Sequence, residues 1–150
     1  MVSSNNRPLK YYAFSESKIE VNNVIQLFFS KYSQNKPPNK YQRLMIHNYP
    51  DLSTDASRSW NSDTIQFNFY VKQKGGEDIV FWTKFVGGTK EWNTSHCELS
   101  LKGYYLKDEW KTISDFGFFR PIWADKKIKL FEKEILLKLQ IELEKLSRTD

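Results

Sequence analysis

The feature that most constrains this chain lies between residues 64 and 86. Ile65, Phe67, Phe69 and Val71 alternate with Gln66, Asn68, Tyr70 and Lys72. That two-residue period predicts a strand over Thr64–Lys72, with one face buried and the other wet. Gly75-Gly76 then supplies the positive φ of a hairpin turn, and Asp78–Val86 returns as a second strand. Ile79-Val80-Phe81-Trp82-Thr83-Lys84-Phe85-Val86 is apolar on both faces for much of its length. Such a strand belongs in the middle of a sheet, covered on each side. A sequence committed to this hairpin must find further strands and a helical layer to cover it.

The flanks provide both. Val21, Val24, Ile25, Phe28, Phe29 and Tyr32 recur at three- and four-residue spacing. They predict a helix over Ser15–Ser33, capped by Ser15 or Ser17 and ended by Pro37-Pro38. Tyr41–Asn48 reads as a strand, Ser95–Lys102 alternates again, and Tyr104–Ile113 offers a last strand. Ser114–Asp125 keeps neither period and reads as an ordered, aromatic-packed loop. Asp125 is placed to cap a long helix over Lys126–Ser147, with Ile128, Phe131, Ile135, Leu139, Leu143 and Leu146 as its main stripe. A second, narrower stripe of Leu130, Leu137 and Ile141 lies on roughly the opposite side, where a sandwiched helix or a partner contact is expected. The expected fold is one α+β domain over residues 1–150. Its antiparallel β-meander of four to five strands packs against an N-terminal helix and a long C-terminal helix.

Composition excludes several classes. Aromatic residues make up 16% of the 150 and hydrophobic residues 39%, so the chain has ample apolar surface to offset the entropy of ordering. No uncharged apolar run approaches the roughly 18 residues that span a bilayer, so no membrane association is expected. Met1–Pro8 is followed by no apolar signal region, and the single Cys97 forms no internal disulfide. Both predict a cytoplasmic protein.

Catalytic motifs are sparse. There is no Gly-x-Ser-x-Gly elbow, and Cys97 precedes Glu98, whose charge disfavours a thiolate. The histidines, His47 and His96, form no ligand pair, and no Cys-x-x-Cys exists, so no metal is expected. Gly75-Gly76 and Gly87-Gly88 lack the spacing of a phosphate loop and read as turns, and no cofactor is expected. Asp115-Phe116-Gly117 stands without the other kinase motifs. One enzyme reading survives: metal-free RNA cleavage, with His47 and His96 as acid and base and Arg43, on the strand face of His47, stabilising phosphorane charge.

Charge ranks the remaining readings. The net +5 is a +5 first third, a −2 middle third and a +2 last third. Lys36, Lys40 and Arg43, with Lys126, Lys127 and Lys129 at the start of the last helix, would carry nucleic acid if the chain binds RNA or single-stranded DNA. The preferred expectation is a non-enzymatic protein that binds another protein, of the neutralising toxin-immunity kind or an adaptor. That reading follows from size, composition and the abundance of Trp and Tyr. Its candidate contacts are the second helical stripe, Leu130, Leu137 and Ile141, and the acidic middle third, above all Asp51, Asp55, Glu77 and Asp78.

Overall fold

The computed structural model describes residues 7–41, 66–75, 77–87, 93–112 and 122–148. A first strand, β1 (Lys10–Phe14), leads into helix α1 (Lys18–Lys31). Ser17 caps α1: its Oγ accepts from the Glu20 N–H at 3.2 Å, while its own N–H donates to Glu20 Oε1 at 3.1 Å. Two of the helix's orphan donors are thus satisfied reciprocally. A single 3-10 turn, Ser33–Asn35, follows. The sheet continues with β2 (Gln66–Lys72), β3 (Asp78–Phe85), β4 (Cys97–Leu106) and β5 (Glu109–Thr112). A long C-terminal helix closes the chain as α2 (Ile122–Phe131), a π turn (Glu132–Leu136) and α3 (Leu137–Arg148).

All five strands join one sheet, and every pairing is antiparallel. β3 lies between β2 and β4, as its two-sided apolar pattern requires. The other edge of β4 is shared, with β1 paired to Cys97–Leu101 and β5 to Gly103–Leu106. Lys102 falls between these stretches. It is also the extra residue of a β-bulge, since Trp82 faces Gly103 while Thr83 faces Leu101. The bulge inverts the alternation of β4. Leu99 and Leu101 point to the helices before it and Tyr104 after it, whereas Tyr105 joins Tyr70 and Val80 on the opposite face.

On the helical face, Phe131 gathers the core. Its ring lies 5.2 Å from Phe81, 5.7 Å from Tyr12 and 6.0 Å from Phe69, and Phe28 of α1 meets Phe69 at 5.7 Å. Burying each such ring stabilises the fold by about 2 kcal/mol. Phe131, Ile135, Leu139 and Leu143 recur every four residues, which on a regular helix rotates the stripe by about 40° per step. The wider π turn takes up that drift, and all four stay buried. Glu132 opens the π turn and accepts from Lys10 Nζ at 2.5 Å and from the Tyr12 hydroxyl at 2.9 Å. Alongside, α1 and α3 run antiparallel, with Lys31 paired to Glu142 at 3.0 Å. Asn35 Nδ2 donates to the Tyr70 carbonyl at 2.9 Å on the outer edge of β2, while Lys138 Nζ donates to Asn35 Oδ1 at 3.1 Å.

The fold is the expected α+β sheet with two helical elements, and it departs from the expectation in several places. β1 was not foreseen, because Tyr11, Tyr12 and Phe14 blur its alternation and Lys10 occupies a position on the core side. Its insertion beside β4 makes the sheet more than a meander. Residues 39–41 form a helical turn where a strand was expected to begin; the rest of that segment lies outside the described residues. The C-terminal helix starts at Ile122, so Asp125 lies inside it and does not cap it. Leu146, assigned to the buried stripe, is 41% exposed, and Leu130, assigned to the outer stripe, packs half-buried against the core.

A Cβ on Gly103 would meet the Lys111 carbonyl oxygen at 2.5 Å, so Gly103→Ala should cost about 2 kcal/mol in urea unfolding. Burial opposes the ionised form of Glu132, but the hydrogen bonds from Lys10 and Tyr12 outweigh it and hold the carboxyl below its usual value. Its contribution is therefore present above the ordinary carboxylate range and lost as pH falls through the folded value. Glu132→Gln should cost about 1 kcal/mol at pH 7, and the gap to the parent should close in acid.

Candidate binding groove at the open end of the sheet

β3 pairs with β2 from Asp78 onward, but with β4 only from Val80 opposite Tyr105. β4 runs on to Leu106 to pair with β5. The two central strands therefore part at one end of the sheet, and the opening is a groove of about 230 Å³. Among the described residues its walls are Lys40 and Tyr41 from the turn after α1, Glu77 and Asp78 at the start of β3, and Tyr105, Leu106, Lys107 and Asp108 from the end of β4 and the turn after it.

Local backbone explains the shape. Lys107 and Asp108 both have positive φ, 51° and 65°, in the two-residue turn between β4 and β5. Hairpin turns of this kind match the twist of the strands but favour glycine or asparagine. Two side chains in the left-handed region carry strain of about 1 kcal/mol each, which the surrounding contacts must offset. Lys107 Nζ reaches across to Glu77 Oε1 at 3.0 Å, tying this turn to the β2–β3 turn. Lys127 of α2 lies 3.9 Å from the other Glu77 oxygen. The Lys107 hydrogen bond is the main reason the Glu77 carboxyl sits below its usual value.

A tyrosine beside the groove donates to one of its carboxylates. The Tyr70 hydroxyl meets Asp78 Oδ2 at 2.6 Å, and the negative charge of Asp108 acts on Tyr105. Burial, reinforced by those acidic partners, pushes both phenols above their ordinary value, so they remain donors through the physiological range. Lys40 approaches Asp78 only to 3.6 Å, and its Nζ lies 5.1 Å above the Tyr41 ring. From Tyr41 a run of rings crosses the second face of the sheet. Tyr41 meets Tyr70 at 5.7 Å and Tyr105 at 6.1 Å, Tyr105 meets Trp110 at 5.3 Å, and Trp110 meets Trp82 at 6.1 Å. Trp82 Nε1 donates to Gln66 Oε1. The groove thus offers the half-buried Tyr41 ring and carboxylates, with the Tyr105 ring largely buried, equipment suited to recognition.

The structure brings together four residues that sequence reasoning had divided between rival functions. Glu77 and Asp78, expected at a protein contact, are ion-paired with Lys127 and Lys40, expected at nucleic acid. Lys36, Lys126 and Lys129 are exposed elsewhere. Leu137 and Ile141 are 52% and 43% exposed on α3, whereas Leu130 of the same expected stripe is not. Arg43, His47, Asp51 and Asp55 lie outside the described residues. His96 is exposed, with Ser95 Oγ 3.4 Å from its Nδ1. Among the described residues no group of three His, Cys, Asp or Glu is placed to hold a metal ion, and no helix is long and apolar enough to cross a membrane. Sequence reasoning missed Tyr105, Lys107 and Asp108. The Lys107-Asp108 pair between two apolar stretches was the available signal, but its turn is one that non-glycine residues rarely make.

No family model matches the chain, and neither a curated protein nor a solved structure matches it.

Burial pushes the Cys97 thiol up to about 12. In the native protein Cys97 should resist iodoacetamide at pH 8 and react only after unfolding, as followed by mass spectrometry.

Proposed function

We propose that the chain is a non-enzymatic binding module that holds another protein at the open end of its sheet, in the manner of a neutralising immunity-type partner or an adaptor. The observation that carries this reading is the groove itself. At about 230 Å³ it falls below the roughly 300–1,000 Å³ typical of small-molecule pockets and suits a single protruding side chain. Tyr41 stands half-buried at its wall, and the half-buried Trp82 and Trp110 continue the run of rings through the buried Tyr105, residue types that dominate the energetics of protein interfaces. The β4–β5 turn and the start of β3 meet at the groove through the exposed Lys107–Glu77 pair. Leu137 and Ile141 add an exposed apolar pair on α3. Pairing of Lys40 and Lys127 with acids weakens the nucleic-acid reading, because those charges are already partly neutralised. Action in the cytoplasm is part of this proposal, since a lone buried thiol suits a reducing compartment.

The test is affinity capture from lysate of the source cells, comparing the parent with Tyr41→Ala/Asp108→Ala and with Leu137→Glu/Ile141→Glu, each checked by circular dichroism. Recovery of the partner should fall at least about tenfold in the folded groove variant, the scale expected for losing an interface anchor. Unchanged recovery in that variant would overturn the reading.

A further inference from the structure

The chemistry of the groove narrows what enters it. Asp78 is a carboxylate only 16% exposed at its side chain, and among the described residues the cation paired with it is Lys40 at 3.6 Å, beyond hydrogen-bond length. The Lys40 side chain is 65% exposed, and an ion pair so open to water contributes little. Tyr70 occupies Asp78 Oδ2 with its hydroxyl, and carboxylates accept more than one donor. Asp108, on the tip of the β4–β5 turn, and Tyr41 line the same groove as Asp78. Carboxylate, carboxylate and aromatic ring together form the environment that a guanidinium fits best: a planar fork to the acids and a flat face to the ring.

We propose that the groove receives an arginine side chain from the partner protein, and that Lys40 is a weakly held stand-in which the arginine displaces. This rests on the binding-module reading and names the chemistry of its ligand. Lysine is disfavoured as the occupant because it is a strongly hydrated point charge that can neither fork nor stack. Displacing Lys40 releases an exposed ion pair and its contact with the Tyr41 ring, which the guanidinium replaces, and its long stem lets the ammonium swing back into water.

The probe is the capped tripeptide acetyl-Gly-Arg-Gly-amide, titrated by NMR with the tyrosine ring signals observed and acetyl-Gly-Lys-Gly-amide as the control. The arginine peptide should shift the Tyr41 and Tyr105 rings, and the lysine peptide should bind at least about fivefold more weakly. Lys40→Ala should tighten arginine binding severalfold by removing the competitor, an effect that a merely structural Lys40 would not produce. Asp78→Asn keeps an acceptor for Tyr70 and should weaken binding about fivefold by removing the charge. If that variant fails to fold, Lys40→Ala decides alone. Equal response to both peptides, no ring shift, or weaker binding by Lys40→Ala would overturn the proposal. Should the arginine peptide fail while the groove variants still lose the captured partner, the occupant is wrong and the binding module stands. Should partner capture ignore the groove, both fall.

Discussion

One extra residue in β4 organises this molecule. Without Lys102 the strand would keep a single alternation, and the side chains after it would project to the wrong faces. With it, Leu99, Leu101 and Tyr104 all serve the core beneath the helices, and Tyr105 crosses to the other side. The same residue marks where β1 ends on the shared edge of β4 and β5 begins. Gly103 beside it is without a side chain for a steric reason, since the backbone of β5 passes too close for a Cβ. The bulge therefore creates both the two-sided sheet and the wall of the groove.

The helical layer shows a parallel solution in a different geometry. A four-residue apolar spacing does not match a regular helix, and the π turn at Glu132–Leu136 absorbs the difference. Phe131 reaches into the sheet just before that turn, and Glu132 at its start ties the helix to Lys10 and Tyr12 of β1. Asn35 joins the edge of β2 to Lys138 of α3, so one amide links the sheet's outer edge to the far half of the C-terminal helix. These contacts fix where the chain leaves α1 and hence where Tyr41 lies against Tyr70 and Tyr105.

Much of the architecture was legible because period and residue type agreed. The β2–β3 hairpin, the central position of β3 and the buried face of α1 all followed from clean alternation or helical spacing. β1 did not, because aromatic residues occupy both of its faces, and register offsets are invisible to a periodicity count. The bulge at Lys102 is one such offset, and it hid the groove by hiding which way Tyr105 points. Ion pairs between distant segments, such as Lys40 with Asp78, were equally hidden, so basic and acidic residues that neutralise one another appeared as separate candidate surfaces.

The binding reading and the arginine proposal both depend on Tyr105 standing on the groove side of the sheet. The most direct measurement of that dependence is a nuclear Overhauser spectrum of the aromatic side chains. It should link Tyr105 to Tyr41 and Trp110, and Tyr104 to Phe81, without cross-peaks between Tyr105 and Phe81. Cross-peaks from Tyr105 to Phe81 or Phe131 would show an unbroken alternation through β4, and would contradict both the bulge and the groove built upon it.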